Sequence, residues 1–469
     1  MFAGDSSLER RRWLALTMVC IAVLMVVLDT TVVNVALPSI QRNLGFSDTG
    51  LVWVVNVYLL AFAGSLLLGG RLGDLYGQRR LFLFGVATFT LSSLACGLAS
   101  TPSMLIMARA VQGMGGAVSV GVALSLIVSM FPDKGDRAKA MSFYSLLSAV
   151  GGSFGLLVGG VFTSTLSWNW IFIINLPIGA LVYSCCRYLL PAMQANSARG
   201  RVDIIGALTI TAALMLFVYS IVHLTMSLLT CAAALLCGFL VIEFRSRSPL
   251  VPLKIFIIRS FTWSNVVRLL WAAGGYAWFF MMTLYLQAGL GYEPMEVGLA
   301  FLPSNVVTAL FAAGLLARMV TRYGVKRPLV VGLLFVASGY ATFIHEPLDT
   351  RALSSVLPGM LLVGLGTGIA FGPLLLAAMK DIDPNSSGLA SGILNTVAML
   401  GGTLGIATVA TLVSTYKSSL LMTGASMATA VSAGYRIAFV LATGLVCAAA
   451  LIGAVFLREE PSVSPVWHR

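Results

Sequence analysis

Apolar residues in this chain come in long unbroken runs, not in the alternation of a half-buried strand or the three-and-four spacing of a surface helix. A helix needs about 20 apolar residues to cross a bilayer. On that measure the runs predict fourteen spans, near 14–37, 51–70, 81–99, 103–130, 140–164, 170–190, 204–224, 226–243, 262–288, 297–318, 328–345, 355–378, 387–415 and 436–457. The loops between them are short, so no soluble domain of any size is expected. The longest polar interruptions, Pro191 to Asp203 and Arg245 to Ser260, bracket the seventh and eighth spans and divide the chain as six, two and six. The expected organisation is an N-terminal six-helix bundle over 1–190, a two-helix insertion with its linkers over 191–260, a C-terminal six-helix bundle over 261–457, and a tail over 458–469.

Composition agrees with this all-α, polytopic membrane reading. Of 469 residues 58% are apolar and 10% charged, and the mean hydropathy of +0.95 is far from that of a soluble globular chain. The net charge of +12 raises the question of a nucleic-acid surface. Once the spans are drawn, however, 23 of the 29 Lys and Arg fall at the amino terminus or in alternate loops. Arg42, Arg351, Lys417 and Arg436 fall on the opposite side, and Arg109 and Arg268 fall within spans. This is the positive-inside pattern, so the charge reports orientation and no nucleic-acid partner is expected. It places both termini in the cytoplasm. Seven cysteines all lie in apolar runs without metal-ligand spacing and read as small core residues. The first run exceeds 20 residues and is expected to be a retained helix, not a signal peptide.

Inside that first run lies Asp29, the one acid deep within an apolar helix. An ionised carboxylate at bilayer depth costs about 2.5 to 3.5 kcal/mol even on lenient scales, which makes it a candidate functional site with a partner or a cavity. The alternative is a permanently neutral hydrogen-bond donor that packs helices. Counting about 1.5 Å per residue from the outer helix ends puts Asp29 and Arg109 at similar depth, so the two can pair. Burial disfavours the charged carboxylate and a neighbouring arginine favours it, so proton binding would be linked to separation of the pair. A static buried ion pair is the competing reading.

Two further patterns bear on architecture. The segment GRLGDLYGQRRL after the second span has a degraded echo, ARMVTRYGVKRPL, after the tenth. Each follows the second span of its six-helix half, and a parallel repeat of this kind is the plan of an alternating-access transporter. Gly70, Leu72, Asp74, Gly77 and Arg79 resemble the loop signature G-x-L-x-D-x-x-G-x-[RK] of the major facilitator superfamily. The resemblance implies a gating loop built on Gly70, Asp74, Gly77, Arg79 and Arg80. In it Asp74 holds arginines or a helix N-terminus of the other half in the outward-facing state.

LDTTVVNVALP in the first span, RAVQGMGGA in the fourth, WIFIINLPIG in the sixth and GLASGILNTVAMLGGTLG in the thirteenth resemble the fourteen-helix drug:proton antiporter branch of that superfamily, the QacA/EmrB-like multidrug exporters. The resemblance spans nearly the whole chain. It implies the major facilitator fold, with two six-helix bundles and two extra central helices. GGSFGLLVGG in the fifth span puts Gly151, Gly155, Gly159 and Gly160 on a small-residue face suited to close helix contact. It is similar to the antiporter signature G-x-x-x-G-P-x-x-G-G, with Leu156 in place of the proline. Asn169 stands where the family has the arginine of W-R-W, and Ala398 where an arginine often follows N-T-x.

Polar and aromatic residues within the spans are candidates for a substrate cavity: Asn34, Trp53, Asn56, Tyr58, Gln112, Trp271, Tyr276, Phe280, Tyr285, Asn305 and Asn395. Each alone also fits helix packing or an interfacial aromatic. Together they describe an apolar, aromatic cavity with few charges, suited to lipophilic molecules. The expected function is proton-coupled export of hydrophobic or cationic drugs across the cytoplasmic membrane. The expected protein is a monomer in contact with membrane lipids, with no cofactor and the proton gradient as energy source. Export of an endogenous lipid or secondary metabolite is the alternative. An enzyme is disfavoured because His223, His345 and His468 sit at a helix end, in a loop and in the tail, with no catalytic constellation.

Overall fold

A computed structural model describes residues 3–190, 204–246, 253–314, 316–344, 353–382 and 387–457, and no strand occurs among them. In lipid every backbone polar group must be satisfied within its own segment, so apolar runs of this length become helices. They are α1 (Ala3–Leu44), α2 (Asp48–Tyr76), α3 (Gln78–Gly97), α4 (Pro102–Met130), α5 (Lys134–Thr165), α6 (Trp170–Ile173), α7 (Asn175–Leu189), α8 (Ile204–Val222), α9 (Met226–Arg245), α10 (Arg259–Leu284), α11 (Pro294–Gly314), α12 (Leu316–Tyr323), α13 (Lys326–Ala341), α14 (Leu353–Met379), α15 (Ser387–Met422) and α16 (Met427–Phe456). Helix starts carry side-chain caps: Ser47, Thr101 and Ser426 each accept from the backbone N–H three residues on, at 3.0, 3.2 and 3.1 Å.

Twelve stretches among the described residues are long and apolar enough to cross a membrane. The expected spans at 140–164 and 204–224 fall on α5 and α8, whose described apolar stretches, Phe154–Thr165 and Leu208–Val222, are shorter. In the sixth span α6 runs on into α7 through Ile174, which keeps helical dihedrals and donates to the Trp170 carbonyl at 3.0 Å. Pro177 accounts for the missing hydrogen bond at the join, because it offers no N–H to the Ile173 carbonyl four residues back. The last two helices correct the sequence-based boundaries. Lys417, expected in an outer loop after a span ending at 415, lies inside α15, and Arg436, expected at the start of the last span, lies well inside α16; the two helices are joined by residues 423–426 alone. A helix does not stop where hydropathy falls, and nothing in α15 breaks it before Gly424. Arg42 likewise belongs to the last turn of α1.

The cysteines also divide. Cys20, Cys96 and Cys186 are buried and Cys185 partly so, whereas Cys231, Cys237 and Cys447 are exposed on α9 and α16 and are not core residues. They share those outer faces with Leu240, Phe244 and Leu451, an apolar surface that suits lipid contact.

The helices form two compact units: Met1–Pro252 with Glu293–Gly298, and Leu253–Tyr292 with Leu299–Arg469. In the first unit α3 packs on α4, α2 on α4 and α1 on α5. The pair α8 and α9, expected as an insertion, clusters with this unit: α8 lies against α2, where Gly64 faces Thr211, and α9 pairs with α8. In the second unit α10 packs on α15 and α16, and α13 on α14. Its core is aromatic. Trp278 stacks on Tyr340 with centroids 4.7 Å apart and meets Phe301 edge-on at 5.9 Å.

The internal repeat reappears in the backbone. Gly77 between α2 and α3 has φ +94°, and Gly324 between α12 and α13 has φ +72°, a conformation that disfavours any side chain. Eight residues past each turn another glycine makes a close helix contact. A Cβ on Gly85 would press on the carbonyl of Gly115 in α4, and one on Gly332 on that of Gly366 in α14.

Candidate functional site

Four helices of the first unit each bring a polar side chain to one buried point. Asp29 on α1 is 1% exposed, and so is Arg109 on α4; the two form an ion pair. Gln112, one turn beyond Arg109, accepts from its guanidinium at 2.8 Å and donates to Asp29 Oδ1 at 2.8 Å, so a single amide ties both ends of the pair. Asn175, the first residue of α7, donates to the same oxygen at 3.4 Å. Ser93 on α3 accepts from both Gln112 and Asn175, at 2.8 and 2.9 Å. Arg109 also donates through Nε to the Val54 carbonyl on α2, at 3.2 Å. Its guanidinium lies 4.1 Å from the centre of the Tyr58 ring and 5.6 Å from that of Phe172.

Arg109, Gln112 and Asn175 all donate to the carboxylate, so both of its oxygens have partners. A buried charge pair is stable only when its remaining donors and acceptors are satisfied in this way. The depth count from sequence brings together the right two residues. It does not single out Asn175, Ser93 or Cys96, whose thiol lies 3.5 Å from Gln112 Oε1. For Asn175 the available signal is its place as a polar residue in the apolar run WIFIINLPIG.

Glycines bring α5 against α1. Cβ atoms on Gly151, Gly155 and Gly159 would run into Leu24 and Val27, Leu28 and Thr31, and Val32 in turn, one helical step apart on both helices. Gly160 faces Pro294 and Met295 of the segment that clusters with this unit. Leu156, the departure from the family's proline, is buried. Asn169, where an arginine was expected, donates to the Gly97 carbonyl at the end of α3 at 2.7 Å, beside Trp168, which donates to Asn43 at 3.3 Å.

The expected gating segment lies at the α2–α3 turn. Gly70 sits in α2, Gly77 forms the turn and Arg80 is exposed, while the Asp74 side chain lies outside the described residues. Arg79 donates to the Arg187 carbonyl, and Arg11 donates to that of Tyr188. Both arginines therefore cap the C-terminal end of α7 within the same unit, where orphan carbonyls favour cations.

The residues expected to line a cavity are distributed otherwise. Asn34, Asn56, Tyr58 and Gln112 are at most 5% exposed inside the first unit. Asn34 donates to the Thr30 carbonyl of its own helix at 3.1 Å, and Trp53 leans on Tyr219 of α8 at 5.9 Å. In the second unit Trp271, Phe280 and Tyr285 are buried, Tyr276 and Asn305 partly exposed, and Asn395 exposed. A polar residue in a span finds its partner in the nearest helix as readily as in a cavity.

The described residues of the second unit hold a cavity of about 520 Å³ between the ends of α10, α13, α14 and α16, lined by Arg259, Ser260, Lys326, Lys380, Asp381 and Phe456 among others. It touches none of the residues named as site candidates.

Comparison with known proteins agrees with the fold. The chain is 36% identical over 467 residues to the puromycin resistance protein pur8 of Streptomyces alboniger, covering 96% of this chain and 92% of that one. It is 35% identical to the cephamycin export protein CmcT of Amycolatopsis lactamdurans, over 87% of this chain and 86% of that one. Among solved structures, a bacterial homologue of the human lysosomal transporter Spinster, inward-facing and unoccupied, superposes with a TM-score of 0.68 at 17% identity, covering 97% of this chain and 99% of that one. The family profile matches residues 19–406, and the chain belongs to the Major Facilitator Superfamily of membrane transporters.

Proposed function

We propose that this protein is a proton-driven antiporter of the fourteen-helix drug-exporting branch, which moves hydrophobic or cationic drugs out across the cytoplasmic membrane with both termini inside. Relatives named for puromycin resistance and cephamycin export support a drug or antibiotic as cargo. The observation that carries the coupling is the sealed Asp29–Arg109 pair with its complete set of donors.

Protonation of Asp29 cancels its charge and removes the main tie between α1 and α4. Arg109 then keeps the Val54 carbonyl, the Gln112 oxygen and the Tyr58 face, so its release from Asp29 leaves it with partners. Both side chains are enclosed in this conformation, and proton access requires the helices around them to part. Coupling of this kind links the protonation state to the conformational equilibrium. One proton moving down 100 mV supplies about 2.3 kcal/mol, enough for a roughly 50-fold gradient of an exchanged neutral substrate.

The deciding experiment is a proton-flux assay in proteoliposomes, in which puromycin and a panel of lipophilic cations are added to the purified protein. Substrate-triggered proton movement supports antiport; substrate movement that ignores the proton gradient refutes it. Export of an endogenous secondary metabolite is the second reading, favoured by the cephamycin exporter among the relatives, and a beta-lactam in the same panel separates it.

A further inference from the structure

The second unit holds a cation inside the membrane that the ion-pair chemistry of the first unit does not use. Arg268 is nine residues into α10, about 13 Å along the helix from Arg259. Among the described residues of this unit the one acid is Asp381, which lies beyond the end of α14. No described carboxylate pairs with Arg268, and its Nε is buried without a hydrogen-bond acceptor. The guanidinium is instead flanked by two aromatic rings, with centres 5.9 Å away for Trp271 and 5.1 Å for Phe371. Those rings meet each other edge-on at 6.3 Å. Tyr276, two turns further along α10, is within electrostatic reach.

This cluster is not closed. Phe371 is 42% exposed and Arg268 partly exposed, so the cluster has an open side at the Phe371 ring. Ring faces attract a guanidinium but accept none of its hydrogen bonds, so Arg268 keeps unused donors in a fork that matches a carboxylate or phenolate. An arginine at this depth is costly, and intramembrane charges of this kind mark substrate pathways.

We propose that Arg268 is the anchor for the acidic group of an aromatic substrate, whose ring lies against Trp271 and Phe371. The inference rests on the reading of the chain as an exporter and extends its cargo from lipophilic cations to aromatic acids. Arg268 recognises the anionic group by paired hydrogen bonds, and Phe371 supplies the apolar face.

The test uses two dyes of one ring system and opposite charge, fluorescein and a rhodamine cation, with the full-length protein in lipid nanodiscs and binding read by fluorescence anisotropy. Arg268→Gln weakens fluorescein binding by about tenfold or more and leaves rhodamine within about twofold, while Arg268→Lys, which keeps the charge but loses the paired fork, binds fluorescein more tightly than Arg268→Gln and more weakly than the unaltered protein. In the unaltered protein, naphthoate displaces fluorescein at least about tenfold more effectively than naphthamide, a comparison that needs no variant to fold. Equal loss of both dyes in Arg268→Gln, or equal competition by naphthoate and naphthamide, overturns the proposal. Rhodamine transport that ignores the proton gradient would refute the antiport reading and leave the binding result standing, so the two failures are distinguishable.

Discussion

Asp29 and Arg109 are 80 residues apart in the chain and bonded to each other in the core of the first unit, on helices that cross where Gln112 can reach both. Breaking a buried pair by removing one partner costs about 3 to 5 kcal/mol, because the other charge is left uncompensated. Asp29→Asn and Arg109→Gln each should therefore lower the thermal stability of the purified protein, and the double variant should lose less than the sum. Additive losses would mean that the two do not interact. All three variants are expected to lose uphill export while Asp29→Asn retains downhill exchange; proton-driven accumulation by Asp29→Asn at the unaltered rate would exclude Asp29 as the coupling group.

Gln112 and Asn175 carry the second prediction. Gln112→Leu leaves donors on Arg109 and acceptors on Asp29 and Ser93 short of a partner, and each buried group so orphaned costs about 1 to 3 kcal/mol. Asn175→Leu removes the weaker contact to Asp29, at 3.4 Å, and should cost less. Melting curves that rank the two in the reverse order would contradict the network as described.

The α1–α5 contact should be sensitive to volume. Gly155→Val places side-chain atoms where Thr31 and the Leu28 carbonyl now sit, and overpacking of this kind costs about 1 to 3 kcal/mol. Gly238 on α9 faces open space, with nothing within 4 Å of where a Cβ would stand, so Gly238→Ala should be neutral or mildly stabilising in the same assay. Equal tolerance at both sites would argue against close packing of α5 on α1.

At the α2–α3 turn, Asp74→Asn should preserve insertion and abundance but slow transport, since charge-assisted bonds are stronger than neutral ones. Gly77→Ala forces a side chain onto φ +94° and should reduce both abundance and transport. Export by Asp74→Asn at the unaltered rate and equal expression would remove the gating role.

Topology can be read with reporter fusions. The amino terminus, the segment near Arg199 and the carboxyl terminus are expected in the cytoplasm, and the segment near Glu346 outside. A carboxyl terminus found outside would mean an odd number of crossings.

Helices and their order were legible in the sequence because a bilayer leaves the backbone no partner outside its own segment, so hydropathy alone marks where helix must form. The pairing of Asp29 with Arg109 was legible for a related reason: rise per residue converts position in a span into depth, and two opposite charges at one depth attract. Hydropathy did not mark the helix ends, and α15 and α16 run past it until their short turn, carrying Lys417 and Arg436 with them. Depth also says nothing about direction around the helix axis. Only the packing of the helices decided that Asn175 and Ser93 complete the carboxylate's surroundings, that Tyr58 lies under Arg109 instead of in a cavity, that Cys231, Cys237 and Cys447 face outward, and that Arg268 meets two rings and no described acid.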